Sequence, residues 1–210
     1  MGSKTIPHDS RRVFPEMTLM KSLCVYCGSA RGRSPRYIAA ARELGEAMAE
    51  RQIRLVYGGA RIGMMGEVAD AVMKNGGEVV GVIPEHLQTS EVGHSGITEL
   101  KVVESMHVRK KLMFDLSDGF AVLPGGYGTL DELFEIVTWR MLKLHDKPVV
   151  VLNIDGYWDA LQKLIDQLIG EGFAREDSRQ YFSVVSSVGR MFDLLDQPAD
   201  IQVKEHPERI

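Results

Sequence analysis

The sequence predicts one α/β domain built on a doubly wound, mostly parallel sheet of the Rossmann-like kind, with helices on both faces. Three observations carry that prediction. Short apolar runs alternate with helical patterns from about residue 22 to residue 195. The runs are continuously apolar, as in Val149-Val150-Val151-Leu152, which is how strands read when both of their faces are buried. Two runs pass straight into glycine-rich turns, Gly58-Gly59 and Gly125-Gly126-Tyr127-Gly128. Turns of this kind lie at the carboxyl edge of a parallel sheet, where such folds bind ligands.

The elements follow in chain order. Leu23–Tyr26 reads as a strand, and Pro35–Arg51 as a helix rich in Ala, Glu and Arg. Ile53–Tyr57 is a second strand, and a helix opening near Gly63–Gly66 carries Val68, Ala69, Val72 and Met73 at helical spacing. Strands at Val79–Ile83 and Leu100–Val103 precede a helix over Met106–Leu116. Phe120–Leu123 is a strand, Leu130–Leu142 a helix, Val149–Leu152 a strand and Tyr157–Ile169 a helix. A short strand, Phe182–Val185, and a helix, Val188–Leu195, end the pattern. Residues 1–20 and 198–210 read as tails around a domain spanning 21–197, and both Met17 and Met20 would serve as native starts.

Composition narrows the function. The 210 residues carry 25 basic and 29 acidic side chains, a net charge of −4, with no dense Lys/Arg block, so a nucleic-acid or anionic-membrane binder is not expected. No run of about 18 apolar residues is present, and the first twenty residues lack the apolar core of a signal peptide. Ile6 breaks a myristoylation pattern that wants Ser or Thr there. The expected location is the cytoplasm. Cys24-Val25-Tyr26-Cys27 spells C-x-x-C, but no second ligand pair for zinc follows it. On a strand, side chains three apart point to opposite faces, so two inert buried thiols are expected.

The glycine turns hold the candidate chemistry. Gly58-Gly59-Ala60-Arg61-Ile62-Gly63-Met64-Met65-Gly66 fits neither a Walker A loop nor G-x-G-x-x-G, and reads equally as a tight packing turn or a ligand contact. Pro124-Gly125-Gly126-Tyr127-Gly128-Thr129-Leu130-Asp131-Glu132 is more informative: three glycines leave amide N–H groups free beside a helix start. Without a P-loop lysine, the expected anion is a monophosphate. Thr129 and Glu132 also fit a T-x-x-E capping box. On a helical wheel, Leu130, Phe134, Val137 and Met141 form the expected sheet-facing stripe. Glu132, Glu135 and Trp139 lie nearly opposite, facing a partner subunit or a pocket, with Thr138 at the border.

Ser105 is the expected N-cap of the helix that carries Arg109. Arg109 sits in the middle of that helix's apolar stripe, with Leu112, Met113 and Leu116 as neighbours. A guanidinium aimed inward needs a partner, either Glu132 or a phosphorylated ligand; the alternative is a side chain that snorkels out past the helix end.

These residues resemble a known family. Met106-His107-x-Arg109-Lys110, followed about twenty residues later by P-G-G-x-G-T-x-x-E, is similar to the paired motif of the Lonely Guy (LOG) family, and the likeness extends over about residues 20–195. The resemblance implies a phosphoribohydrolase that cleaves cytokinin riboside 5′-monophosphates into free base and ribose 5-phosphate; that chemistry needs no metal, no metal-ligand cluster stands in the sequence, and no cofactor is expected. It implies Arg109 and Glu132 as the catalytic pair. It implies nucleotide contacts at Gly59, Glu91, Lys110, the run Gly126, Tyr127, Gly128, Thr129, Leu130 and Asp131, and Thr138. Asp131 departs conservatively from the family's frequent Glu. A homodimer with its site near the interface is also implied. Competing expectations are an AMP nucleosidase-type activity, a carrier of a phosphorylated ligand such as molybdenum cofactor, and an amino-acid decarboxylase. For the last, no lysine stands in a recognisable Schiff-base context.

Overall fold

The structure is a computed structural model that describes residues 20–88 and 93–196. Residues 1–19 and 198–210 of the expected tails, and the expected contact Glu91, lie outside the described residues.

Seven strands form one sheet: β1 (Ser22–Tyr26), β2 (Arg54–Tyr57), β3 (Val79–Pro84), β4 (Glu99–Val103), β5 (Gly119–Val122), β6 (Val149–Leu152) and β7 (Ser183–Val185). Their order is β4-β3-β2-β1-β5-β6-β7, and every pairing is parallel, so the sheet is wholly rather than mostly parallel. The chain moves outward from β1 to β4 and then returns to the other side of β1 at β5. That reversal opens a crevice between the carboxyl ends of β1 and β5. At the opposite edge, the Asp118 carboxylate accepts bonds of 2.9 Å from the Lys21 N–H, the Ser22 N–H and the Ser22 hydroxyl, tying the two strand starts together.

Helices α1 (Pro35–Glu50), α2 (Gly63–Lys74) and α7 (Val188–Leu195) cover one face; α4 (Met106–Asp115), α5 (Tyr127–Met141) and α6 (Asp159–Gly170) cover the other. A single turn, α3 (Glu85–Leu87), follows β3. Strand parity divides the core in two. Leu23, Val25 and Cys27 pack under α1, α2 and α7, while Cys24 and Tyr26 pack under α4, α5 and α6. The two cysteines are therefore free, buried and separated by the sheet, and burial pushes both thiols far above their ordinary pKa.

Three expectations are corrected. Helix α5 begins at Tyr127 with Gly126 as its N-cap, and Leu130 N–H donates to Gly126 O at 3.0 Å, so Thr129 is already inside the helix and caps nothing. Its side chain instead packs back into the volume that a side chain at Gly125 would occupy. The buried face of α5 is Thr129, Glu132, Leu133, Ile136 and Arg140. The apolar stripe named above is less covered: Leu130, Phe134 and Val137 are half-buried and Met141 is exposed. The amino end of α5 stands over the sheet's open edge, so polar residues occupy its inner face. Helix α6 starts at Asp159 rather than Tyr157. Left-handed backbone at Asp155 (φ 53°) and Gly156 (φ 74°) turns the chain first, and Asn153 Oδ1 accepts from Trp158 N–H at 2.7 Å. Among the described residues, no helix is long and apolar enough to cross a membrane.

Candidate active site

The crevice between β1 and β5 is lined by the loops that leave the two strands. Gly28 N–H donates to Pro124 O at 3.0 Å, fixing one loop on the other. A Cβ at Gly125 would lie 2.1 Å from Thr129 Oγ1 and 3.0 Å from Gly28 N, so only glycine allows this turn. The Tyr157 hydroxyl donates to Gly125 O from the far side and holds the turn in place. The backbone then enters α5, and the N–H groups of Tyr127, Gly128 and Thr129 belong to its first turn, where no carbonyl four residues back is available within the helix. A Cβ built at Gly126 or Gly128 would meet nothing within 4 Å, so the helix start is open on the side where those side chains would stand, with the positive end of the helix dipole behind it.

Helix α4 supplies the facing wall. Ser105 caps it as expected, its hydroxyl accepting from Val108 N–H at 3.3 Å. One turn on, Arg109 is only 8% exposed. Its Nη2 lies 3.7 Å from Glu132 Oε1, an ion pair too long for a hydrogen bond. Nη1 lies 3.7 Å from Met106 Sδ, and buried Nε has no hydrogen-bond partner. A guanidinium carries five N–H donors, so this one retains unused capacity. Glu132 is 8% exposed. Its carboxyl is pushed up to about 7: burial raises it most, Arg109 and Lys110 pull against that, and Asp131 and Glu135 add to the rise.

The contact between α4 and α5 continues away from this pair. Lys110 Nζ sits 3.1 Å from Asp131 Oδ2 and 3.0 Å from Glu135 Oε1, and these two carboxylates raise its pKa although burial opposes them. Phe114 meets Trp139 edge-on at 5.0 Å. The Glu132, Glu135 and Trp139 side of α5 thus faces Arg109, Lys110 and Phe114 in turn.

The structure brings Arg109 to Glu132 and Lys110 to Asp131 across the α4–α5 contact, with the Gly126–Thr129 backbone at the amino end of the same α5. The other expected contacts have their own surroundings. Thr138 is exposed six residues beyond Glu132, about 9 Å along the helix. Gly59 has φ +76° and packs toward Leu100, Ile83 and the β3 backbone. Leu130 is half-buried against the second core, and the Tyr127 ring is 93% exposed. Lys110 is committed to its two carboxylates. Gly58, in the turn that reads equally as packing or ligand contact, touches Arg109, and Tyr157, unmarked in the sequence as a site residue, holds the loop.

Residues 65–195 match a protein family described as "Possible lysine decarboxylase". Over 160 residues the chain is 49% identical to the cytokinin riboside 5′-monophosphate phosphoribohydrolase LOG of Oryza sativa subsp. japonica, covering 76% of this chain and 66% of that one. It is 48% identical over 160 residues to the cytokinin riboside 5′-monophosphate phosphoribohydrolase LOG7 of Arabidopsis thaliana, covering 76% of this chain and 74% of that one. Among solved structures, the molybdenum cofactor binding protein from Rippkaea orientalis superposes with a TM-score of 0.63 at 21% identity, over 83% of this chain and 93% of that one. That last likeness is one of fold.

Proposed function

The chain belongs to the LOG family of phosphoribohydrolases, and from that premise we propose that its Arg109–Glu132 cleft hydrolyses the N-glycosidic bond of a nucleoside 5′-monophosphate, releasing free base and ribose 5-phosphate. The observation that carries the reading is the placement of a buried guanidinium and a buried carboxylate 3.7 Å apart, beside a helix start with open amides. Cytokinin riboside 5′-monophosphates are the substrate class named for its relatives.

Each part has a task. The Gly126–Thr129 amides take the 5′-phosphate, so binding energy remote from the reaction positions C1′ of the ribose. Departure of the base leaves positive charge on the ring in an oxocarbenium-like transition state. Glu132, ionised and excluded from water, stabilises that charge and orients the attacking water. Arg109 brings its unused donors to the phosphate or to the departing base. The decarboxylase in the family's description would need a free lysine amine, and Lys110, the lysine beside the pair, is clasped by Asp131 and Glu135. The half-buried stripe of Leu130, Phe134 and Val137, with exposed Met141, is read as the seat of a second copy in a homodimer.

Product analysis with AMP, isopentenyladenosine 5′-monophosphate and the matching free riboside tests the reading. Base is expected from both monophosphates, and kcat/KM for the free riboside is expected to be lower by about 100-fold or more, because the phosphate contacts are lost. Equal turnover of the riboside would remove the amides from the account. The pH profile gives a second check. The free enzyme's kcat/KM is expected to rise with pH through about 7 as Glu132 ionises. A profile that is flat across that region overturns the role given to this carboxylate.

A further inference from the structure

We propose that Gly58 is a positioning residue for Arg109: the missing side chain at the end of β2 forms the slot that holds the guanidinium opposite Glu132. The proposal rests on the phosphoribohydrolase reading and adds to it a residue that touches neither phosphate nor sugar. A Cβ at position 58 would lie 2.0 Å from Arg109 Nη2 and 3.2 Å from its Cζ. Nη2 is the nitrogen that faces Glu132 Oε1. Any side chain at 58 therefore displaces the atom that makes the ion pair.

Among the described residues, the other polar contacts of the guanidinium are weak. Its Nε has no hydrogen-bond partner, and Nη1 meets only a thioether sulfur, a weak acceptor. Its position is set by shape. Glu132 reaches the cleft from β5 and α5, while Gly58 comes from β2, beyond β1, so the slot spans both halves of the sheet. Gly59 next door differs in kind. Its φ of +76° and close contacts with Leu100, Ile83 and Val82 make it a requirement of the fold. Gly58 lies outside the left-handed region, and the nearest atom its Cβ would meet outside Arg109 is Met65 Sδ, at 3.0 Å. Both obstacles are the ends of flexible side chains. The backbone tolerates alanine, and the guanidinium moves.

The test compares wild type, Gly58→Ala, Arg109→Ala and the double variant as full-length proteins with AMP as substrate. Gly58→Ala is expected to melt within about 2 °C of wild type and to lose about 30- to 100-fold in kcat, as a displacement of about 1 Å can. The acid limb of its kcat/KM profile is expected to move up by about one pH unit, because the cation retreats from Glu132. The double variant is expected to be no slower than Arg109→Ala, whose slot is already empty. Wild-type rate and pH profile in Gly58→Ala would overturn the proposal, as would a further tenfold loss in the double variant. If Gly58→Ala melts low, the double variant is expected to regain the lost stability, and failure to regain it overturns the slot. That melting comparison reads the slot whatever the turnover. A wild-type protein that releases no base defeats the phosphoribohydrolase reading; an active wild type with an inactive Arg109→Ala and an unchanged Gly58→Ala defeats only this one.

Discussion

Replacing Glu132 by glutamine is expected to lower base release from a nucleoside 5′-monophosphate by about 10³-fold while making the protein more stable at alkaline pH. The catalytic loss follows from removing the one negative charge that faces the developing positive charge in a site shielded from water. The gain in stability follows from linkage. Burial lifts the Glu132 carboxyl from 4.5 to about 7, so the folded protein holds this proton more tightly than the unfolded chain does. Above about pH 4.5 the unfolded carboxylate ionises first, and stability falls as pH rises until the folded group also ionises, near 7. The full difference amounts to about 3 kcal/mol. Glutamine removes the titration. The two proteins should melt together near pH 4 and differ by several degrees near pH 8, with the variant higher. A variant less stable than wild type at pH 8 would mean that the Arg109 pairing outweighs the burial of the charge.

Gly125→Ala is expected to damage both stability and activity. Here the obstruction is not a flexible tip. The new Cβ would meet the Oγ1 and Cβ of Thr129, at 2.1 and 2.7 Å, and the backbone nitrogen of Gly28 at 3.0 Å. Thr129 is 3% exposed and branched at Cβ, so it has no free rotamer to retreat into. Relief must come from the backbone, by prising the β5 loop from the β1 loop and breaking the Gly28–Pro124 bond. A loss of about 2–4 kcal/mol is expected in denaturant unfolding. Activity should fall by at least about 100-fold where the variant is still folded, because the amides that take the phosphate are displaced. Unfolding at the wild-type denaturant midpoint would show that the loop has slack that its contacts do not suggest.

Much of this was legible in the order of residues. Continuous apolar runs and the glycines that follow them located the sheet and its open edge, because burial on both faces and tight turns constrain composition directly. The parity of a strand separated Cys24 from Cys27. The wheel placed Arg109 correctly on α4, where its stripe neighbour Met113 is fully buried within the chain. The same wheel misplaced the inner face of α5. A hydrophobic pattern shows which side chains leave water, not what covers them, and Leu130, Phe134 and Val137 remain only partly covered by their own chain. Gly58 was illegible for another reason. Two adjacent glycines look alike as letters, and only their backbone directions show that one clears a guanidinium while the other turns the chain.

The sheet that parts Cys24 from Cys27 also gives the molecule two silent reporters. Neither sulfur can meet an alkylating reagent while its own layer of helices is seated: α1, α2 and α7 over Cys27, and α4, α5 and α6 over Cys24. Brief pulses of iodoacetamide at rising temperature, followed by mass mapping of the two sites, would therefore time the loosening of each layer separately. The layer bearing the cleft can be watched against the layer that does not, with no probe engineered into either.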